Sequence, residues 1–271
     1  MSAADLPPQF DPSQFNPALM WTEYLNRLLG MAVGFFILAT VVSAWRHHRR
    51  EPRILWTAIA ALLLTGFQGW LGGRVVANEL AAWIVTVHLI VALVIVQMLL
   101  FVTVAATQPP STRAPLHPSP PAPVHLRVFS LVLIVLTLIQ IAFGTLVRGA
   151  VDAALDAGTA RDGALATVGM IDHLHRDTAI AVLFGALLLT WWLFNLSPEP
   201  GLPRARSRGA RSPQLPWCYA VVTLAVLQVA IGVAMAYGSL LPAAQVLHLT
   251  IASLLLGAET VLLLLSGRQT A

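Results

Sequence analysis

Apolar residues fall along the chain in seven long blocks, near 22–45, 54–73, 82–106, 126–148, 173–196, 217–236 and 243–266. Each is long enough for a helix to cross a hydrocarbon core of about 30 Å. The short alternating segments of a transmembrane barrel are absent. Backbone polar groups in lipid must satisfy one another, so the pattern predicts an all-α polytopic membrane protein of seven transmembrane helices. Residues 1–21 are polar and proline-rich and read as an extramembrane lead. They lack the basic start and apolar centre of a signal peptide.

Composition agrees with this reading: 57% of the 271 residues are hydrophobic and 10% are charged. Charge then sets the orientation. All 16 basic residues are arginine. They gather in the 46–53 loop (Arg46, Arg49, Arg50, Arg53), the 197–216 loop (Arg204, Arg206, Arg208, Arg211), at Arg113 and Arg127, and in the tail at Arg268. The 149–172 loop opposes Arg161 with Asp152, Asp156, Asp162 and Asp172. The positive-inside rule puts the arginine-rich loops in the cytoplasm, the N-terminus outside and the C-terminus inside a bacterial inner membrane. The basic charge is thereby accounted for without nucleic acid. His47, His48, His117 and His125 belong to these loops as ordinary solvated polarity. The single cysteine, Cys218, cannot form an internal disulfide.

The chain also repeats itself. EYLNRLLGMAVGFFILATVVSAW (23–45) resembles DHLHRDTAIAVLFGALLLTWW (172–192), and residues 64–93 resemble 224–253. Gln68, Gly72 and His88 align with Gln228, Gly232 and His248. The fourth block carries Gln140 and Gly144 and precedes the second unit, whereas nothing corresponding precedes the first. The layout is two helical bundles of three plus four: 22–106, a proline-rich cytoplasmic linker at 107–125, and 126–266.

Histidines inside membrane spans are functional candidates. His88 and His248 occupy equivalent places, His175 opens the fifth block, and the topology puts all three toward the outer face. His175 and His248 can then face each other at one depth of the second bundle. Two neutral imidazoles so placed suit a flat metal macrocycle such as haem, one nitrogen on each side of the iron. An interhelical hydrogen bond or another metal are the alternatives. The lack of a cysteine or carboxylate cluster argues against zinc.

In the first unit Asn26 stands where His175 stands in the second, so a metal at His88 would be held from one side with a position open. Charged residues gather at the same level: Glu23, Arg27, Asp172, Arg176 and Asp177, with Arg74 and Arg148 ending their spans. Arginine pairs well with carboxylates such as haem propionates, and interface anchoring is the competing role. Glu23 lies one turn from Asn26 and can move protons there. Glu259 lies deep in the last block, away from that level, which points to an interhelical bond.

These residues resemble a known family. EYLNR, TGFQGWLGG and VTVHL in the first half, with IQIAFGTLVRG, HLHR and VLHL in the second, are similar to haem A synthases, and the resemblance covers residues 21–266. It implies two four-helix halves and oxidation of the C8 methyl of haem O to a formyl group, making haem A for cytochrome oxidase. It implies that His175 and His248 hold a haem b cofactor in the second half. The first half would bind haem O as substrate with His88, and Glu23 would match the glutamate of the family's E-W/Y-x-H-R motif. Glu23 and Asn26 are thus the catalytic candidates, with Arg27, Arg148 and Arg176 as propionate partners. A haem O synthase and the assembling oxidase are the implied partners beside membrane lipid, and a homo-oligomer is compatible. Two departures accompany the resemblance. Asn26 replaces the first motif histidine, and the family's first helix and the outer loop after it have no counterpart, both of which bear on activity.

Other functions fit less well. An electron-carrying or non-catalytic b-type cytochrome would favour paired histidines in both halves, which Asn26 disrupts. A retinal protein needs a lysine for its Schiff base, and the chain has none. A transporter would place its polar groups at the midplane of broken helices.

Overall fold

The computed structural model describes residues 16–78, 81–107, 124–195, 214–238 and 240–266. The lead before Asn16, Arg113, His117, the Arg204–Arg211 cluster and Arg268 lie outside the described residues.

Eight α-helices are described: α1 (Pro17–His48), α2 (Pro52–Ala77), α3 (Ala82–Ala106), α4 (Val124–Asp156), the short α5 (Arg161–Ala164), α6 (Met170–Asn195), α7 (Leu215–Tyr237) and α8 (Pro242–Ser266). All but α5 are long and apolar enough to cross a membrane. The chain is an all-α multi-pass membrane protein, with no strand among its described residues.

Several helices run past their apolar blocks. Pro17 opens α1 inside the polar lead, in the first turn, where a missing N–H costs nothing. Val124 and His125, at the end of the proline-rich linker, already belong to α4. At its other end α4 continues eight residues beyond Arg148, through the alanine-rich AVDAALD, with Arg148 and Asp152 paired at 3.5 Å one turn apart. Thirty-three residues give α4 a length of about 50 Å, more than the hydrocarbon needs. Gly158, at φ +88, takes the left-handed conformation that turns the chain away, and Gly169, at φ +69, does so before α6.

The contacts divide the chain into two compact units, with the boundary inside α2 after Trp70. In the first unit, α2 buries Ile54, Ala58 and Ala61, one stripe at helical spacing, while Phe35, Phe36, Leu63 and Trp70 are exposed as lipid-facing side chains are. In the second unit α8 is the centre. Two thirds of its apolar window is buried, against 28% or less in any other span. It packs against α7, α4 and α3, and α6 packs against α4 and α7. Three layers fill the space. Leu126, Leu133, Leu189, Leu193, Cys218 and Leu262 form one, and Val182, Ala186, Val221, Ala225, Leu255 and Ala258 the next. Leu93 of α3, Ile141, Ala252 and Leu256 form the third. Small side chains let the helices approach closely: a Cβ at Gly185 would lie 2.8 Å from Leu133 Cδ2.

Candidate functional site

At the end of the second unit where α6 and α8 begin, His175 and His248 face each other. Their ring centroids are 6.4 Å apart, with the planes at 63°. With metal–nitrogen bonds of about 2 Å on either side, two imidazoles sharing one metal in line need a separation of about 6 Å. The pair is spaced for one metal between two nitrogens. No group of three or more His, Cys, Asp or Glu side chains that could hold an ion occurs among the described residues, so a tetrahedral zinc site finds no support.

The seats of the rings are built from glycine. A Cβ at Gly144 of α4 would lie 3.0 Å from His175 Cε1, and one at Gly232 of α7 would lie 3.4 Å from His248 Cε1. In α2 the same holds for Gly72, 3.3 Å from His88 Cε1. Each of these glycines follows a glutamine by four residues: Gln140, Gln228 and Gln68. The recurring Q-x-x-x-G is therefore a helix surface hollowed to receive the edge of an imidazole from another helix. Sequence reasoning used the motif to align the repeats and missed this role. The signal was its third occurrence, in the helix with no repeat counterpart.

Hydrogen bonds orient His175. Its Nδ1 lies 3.2 Å from the Gln140 carbonyl oxygen, and since a carbonyl only accepts, the ring carries its proton at Nδ1. Nε2 then holds the lone pair a metal needs, and a backbone partner of this kind fixes tautomer and ring angle for ligation. The Gln140 side-chain nitrogen stands 3.5 Å from Nε2, a contact at the limit of a hydrogen bond. Thr178 donates to Gln140 Oε1 and to the carbonyl oxygen of Leu174, tying α6 to α4 one turn deeper. His248 Nδ1 and Gln228 Oε1 are buried without a hydrogen-bond partner in the structure. Buried polar atoms left open in this way are costly unless a ligand completes the site.

The charged candidates divide between the units. Arg176 bonds Asp172 at 2.6 Å and reaches the Tyr237 hydroxyl at 3.5 Å, with its guanidinium 5.9 Å from the Tyr237 ring. This joins the starts of the histidine-bearing helix and the end of α7. Arg148 is exposed and paired with Asp152. Arg161 of α5 donates to the Leu240 carbonyl at 2.9 Å, fastening the turn before α6 to the turn before α8. In the first unit Glu23, Asn26 and Arg27 are exposed on α1, and Glu23 pairs with Arg27. His88 belongs to the second unit and is half-buried. Glu259 makes the interhelical bond its depth suggested, accepting from Thr137 Oγ1 at 2.9 Å.

The donor set and its seats fit a haem held by two imidazoles: facing rings 6.4 Å apart, glycine hollows that receive them, and Arg176 beside the start of α6. Residues 7–260 match the family model described as cytochrome oxidase assembly protein. The chain is 28% identical over 250 residues to a haem A synthase of Allorhizobium ampelinum, covering 81% of this chain and 64% of that protein. A haem A synthase of Bradyrhizobium diazoefficiens is 31% identical over 252 residues, covering 81% and 65%. One from Rhizorhabdus wittichii is 27% identical over 264 residues, covering 89% and 70%. The chain thus spans slightly under two thirds of the length of the first two relatives. No solved structure matches. The family model takes in both histidine helices and nearly every described residue, and the chain belongs to the cytochrome oxidase assembly protein family.

Proposed function

We propose that this protein is a haem A synthase-like membrane oxidoreductase that acts on haem O. In this reading it oxidises the C8 methyl to a formyl group, and the haem A so made goes to cytochrome oxidase. His175 and His248 hold a haem b in the second half, and the observation that carries the reading is their 6.4 Å separation over Gly144 and Gly232. When bound, that group supplies one-electron redox chemistry. The chain's own residues do the rest. The Gln140 carbonyl keeps the His175 proton on Nδ1, which leaves the lone pair on Nε2. Arg176, held by Asp172 and Tyr237, presents a cation at the rim for a propionate.

The substrate half uses His88, seated on Gly72 as His248 is on Gly232. Oxidising a methyl to a formyl group removes protons as well as electrons from the carbon, and Glu23 takes the proton role, with Arg27 beside it. Asn26, in the place of the motif histidine, leaves the substrate iron held from one side. The donor of haem O is a haem O synthase in the same membrane.

The test is co-expression of this chain with a haem O synthase, followed by pigment extraction and mass spectrometry. The purified protein is expected to show a six-coordinate b-type spectrum. His175→Ala or His248→Ala should each remove most of it, and Glu23→Ala should stop haem A formation with that spectrum intact. Haem content unchanged in both histidine variants refutes the ligand assignment. Haem A formation surviving Glu23→Ala removes that residue from the chemistry.

A further inference from the structure

We infer that Glu259 is a proton-binding group coupled to the electron held between His175 and His248. The inference rests on the haem reading above.

Glu259 is 1% exposed, three turns beyond His248 on α8. Thr137 Oγ1 donates to its Oε1 at 2.9 Å, and its Oε2 is buried with no hydrogen-bond partner. Among the described residues, no countercharge faces it from the helices packed against α8 or from α6. After His88, α3 carries no titratable side chain, α4 carries none between Arg127 and Arg148, and α6 carries none after Asp177. On α7 the titratable groups are Cys218, in the leucine layer, the exposed Tyr219, and Tyr237 at the far end. The only other one on α8 is His248. A carboxyl group kept in this setting changes charge only by taking or losing a proton.

The group is connected to the histidines by the polar face of α4. Thr137 and Gln140 are both buried and lie one turn apart. Gln140 in turn accepts from Thr178 through its amide and from His175 through its carbonyl. This puts the Glu259 carboxyl on the order of 10 Å from the His175 ring. At that separation, inside a protein, one unit charge changes a neighbouring equilibrium by about tenfold. The feature is specific to the second half: counting from the histidine, the equivalent of Glu259 in the first half is Leu99. An interhelical bond alone would be served by a neutral partner for Thr137.

The charge balance is simple. One electron, delivered by a one-electron reductant, adds one negative charge between the histidines. One proton from bulk water binds Glu259 Oε2 and removes it. No other bond forms or breaks.

The full chain, solubilised and loaded with haem, tests this by optical redox titration across a neutral-to-alkaline pH series. The midpoint potential should fall with rising pH by up to about 59 mV per unit, the value for one proton per electron. Glu259→Gln, close in shape, should flatten that dependence, and a carboxyl band in the reduced-minus-oxidised infrared spectrum should vanish with it. Thr137→Val keeps the carboxyl and should move the pH range of the slope, which holds the test should Glu259→Gln not assemble. Tyr219→Phe and Cys218→Ala should leave the slope in place. A slope and infrared band that persist in Glu259→Gln, or a slope lost in Cys218→Ala instead, overturns the inference. Absence of a haem spectrum in the unaltered chain defeats the haem reading itself, and the coupling with it.

Discussion

At the scale of single residues, the site depends on groups that are missing as much as on groups that are present. Gly144 leaves only 3.0 Å between a would-be methyl and His175 Cε1, whereas Gly232 leaves 3.4 Å to His248. The first is tighter than ordinary van der Waals contact and the second lies at its edge, so the two positions differ in tolerance. Gly144→Ala is expected to lower bound haem severalfold, with Gly232→Ala close to the unaltered chain, as measured by haem per protein after purification. Equal losses in both variants would show that the hollows do not set the ring positions. His175, His248 and their shared depth were legible in the sequence, because a histidine in an apolar span stands out and the repeat aligns it. The seats were not. A glycine's role here is the space it leaves, and that space exists only once two helices have a crossing point. The Gln140 carbonyl that orients His175 belongs to the backbone and has no sequence signature at all.

At the scale of elements, hydrophobic runs located the seven spans to within a few residues, and their ends moved for reasons visible in the local chemistry. The stretch 149–156 reads as a loop because its aspartates break the apolar run. Its alanines and the Arg148–Asp152 pair continue α4 regardless. Apolar runs also cannot rank the helices, since lipid and protein core are equally apolar. That α8 is central while α1 is largely exposed emerges only from packing. The ranking has a measurable consequence. Leu256 is fully buried where α8 meets α3 and α4, and Leu256→Ala leaves a cavity costing on the order of 2 kcal/mol. Phe36→Ala, at a position 74% exposed, should cost much less. Thermal unfolding in one detergent compares the two, and equal melting temperatures would contradict the central place of α8.

At the scale of the whole molecule, the arginine distribution predicts sidedness: Arg46–Arg53 in the cytoplasm, and the histidine end of the second unit outside. Single-cysteine labelling of intact cells in a Cys218→Ala background should modify a cysteine at Thr159 from outside and one at Glu51 only after permeabilisation. Reaction at Thr159 solely from the cytoplasm would reverse the topology. A site at the outer surface would draw its haem from the outer leaflet side.

The central position of α8 also bears on how the protein is made. A ribosome releases α3, α4, α6 and α7 before α8, so four helices enter the bilayer before the one that three of the four pack against. Until α8 arrives, His175 has no opposing imidazole and Thr137 has no carboxyl to bond. A haem held by both imidazoles would therefore enter only a bundle whose synthesis has reached its last described helix, and a chain stalled before α8 would offer it one imidazole at most.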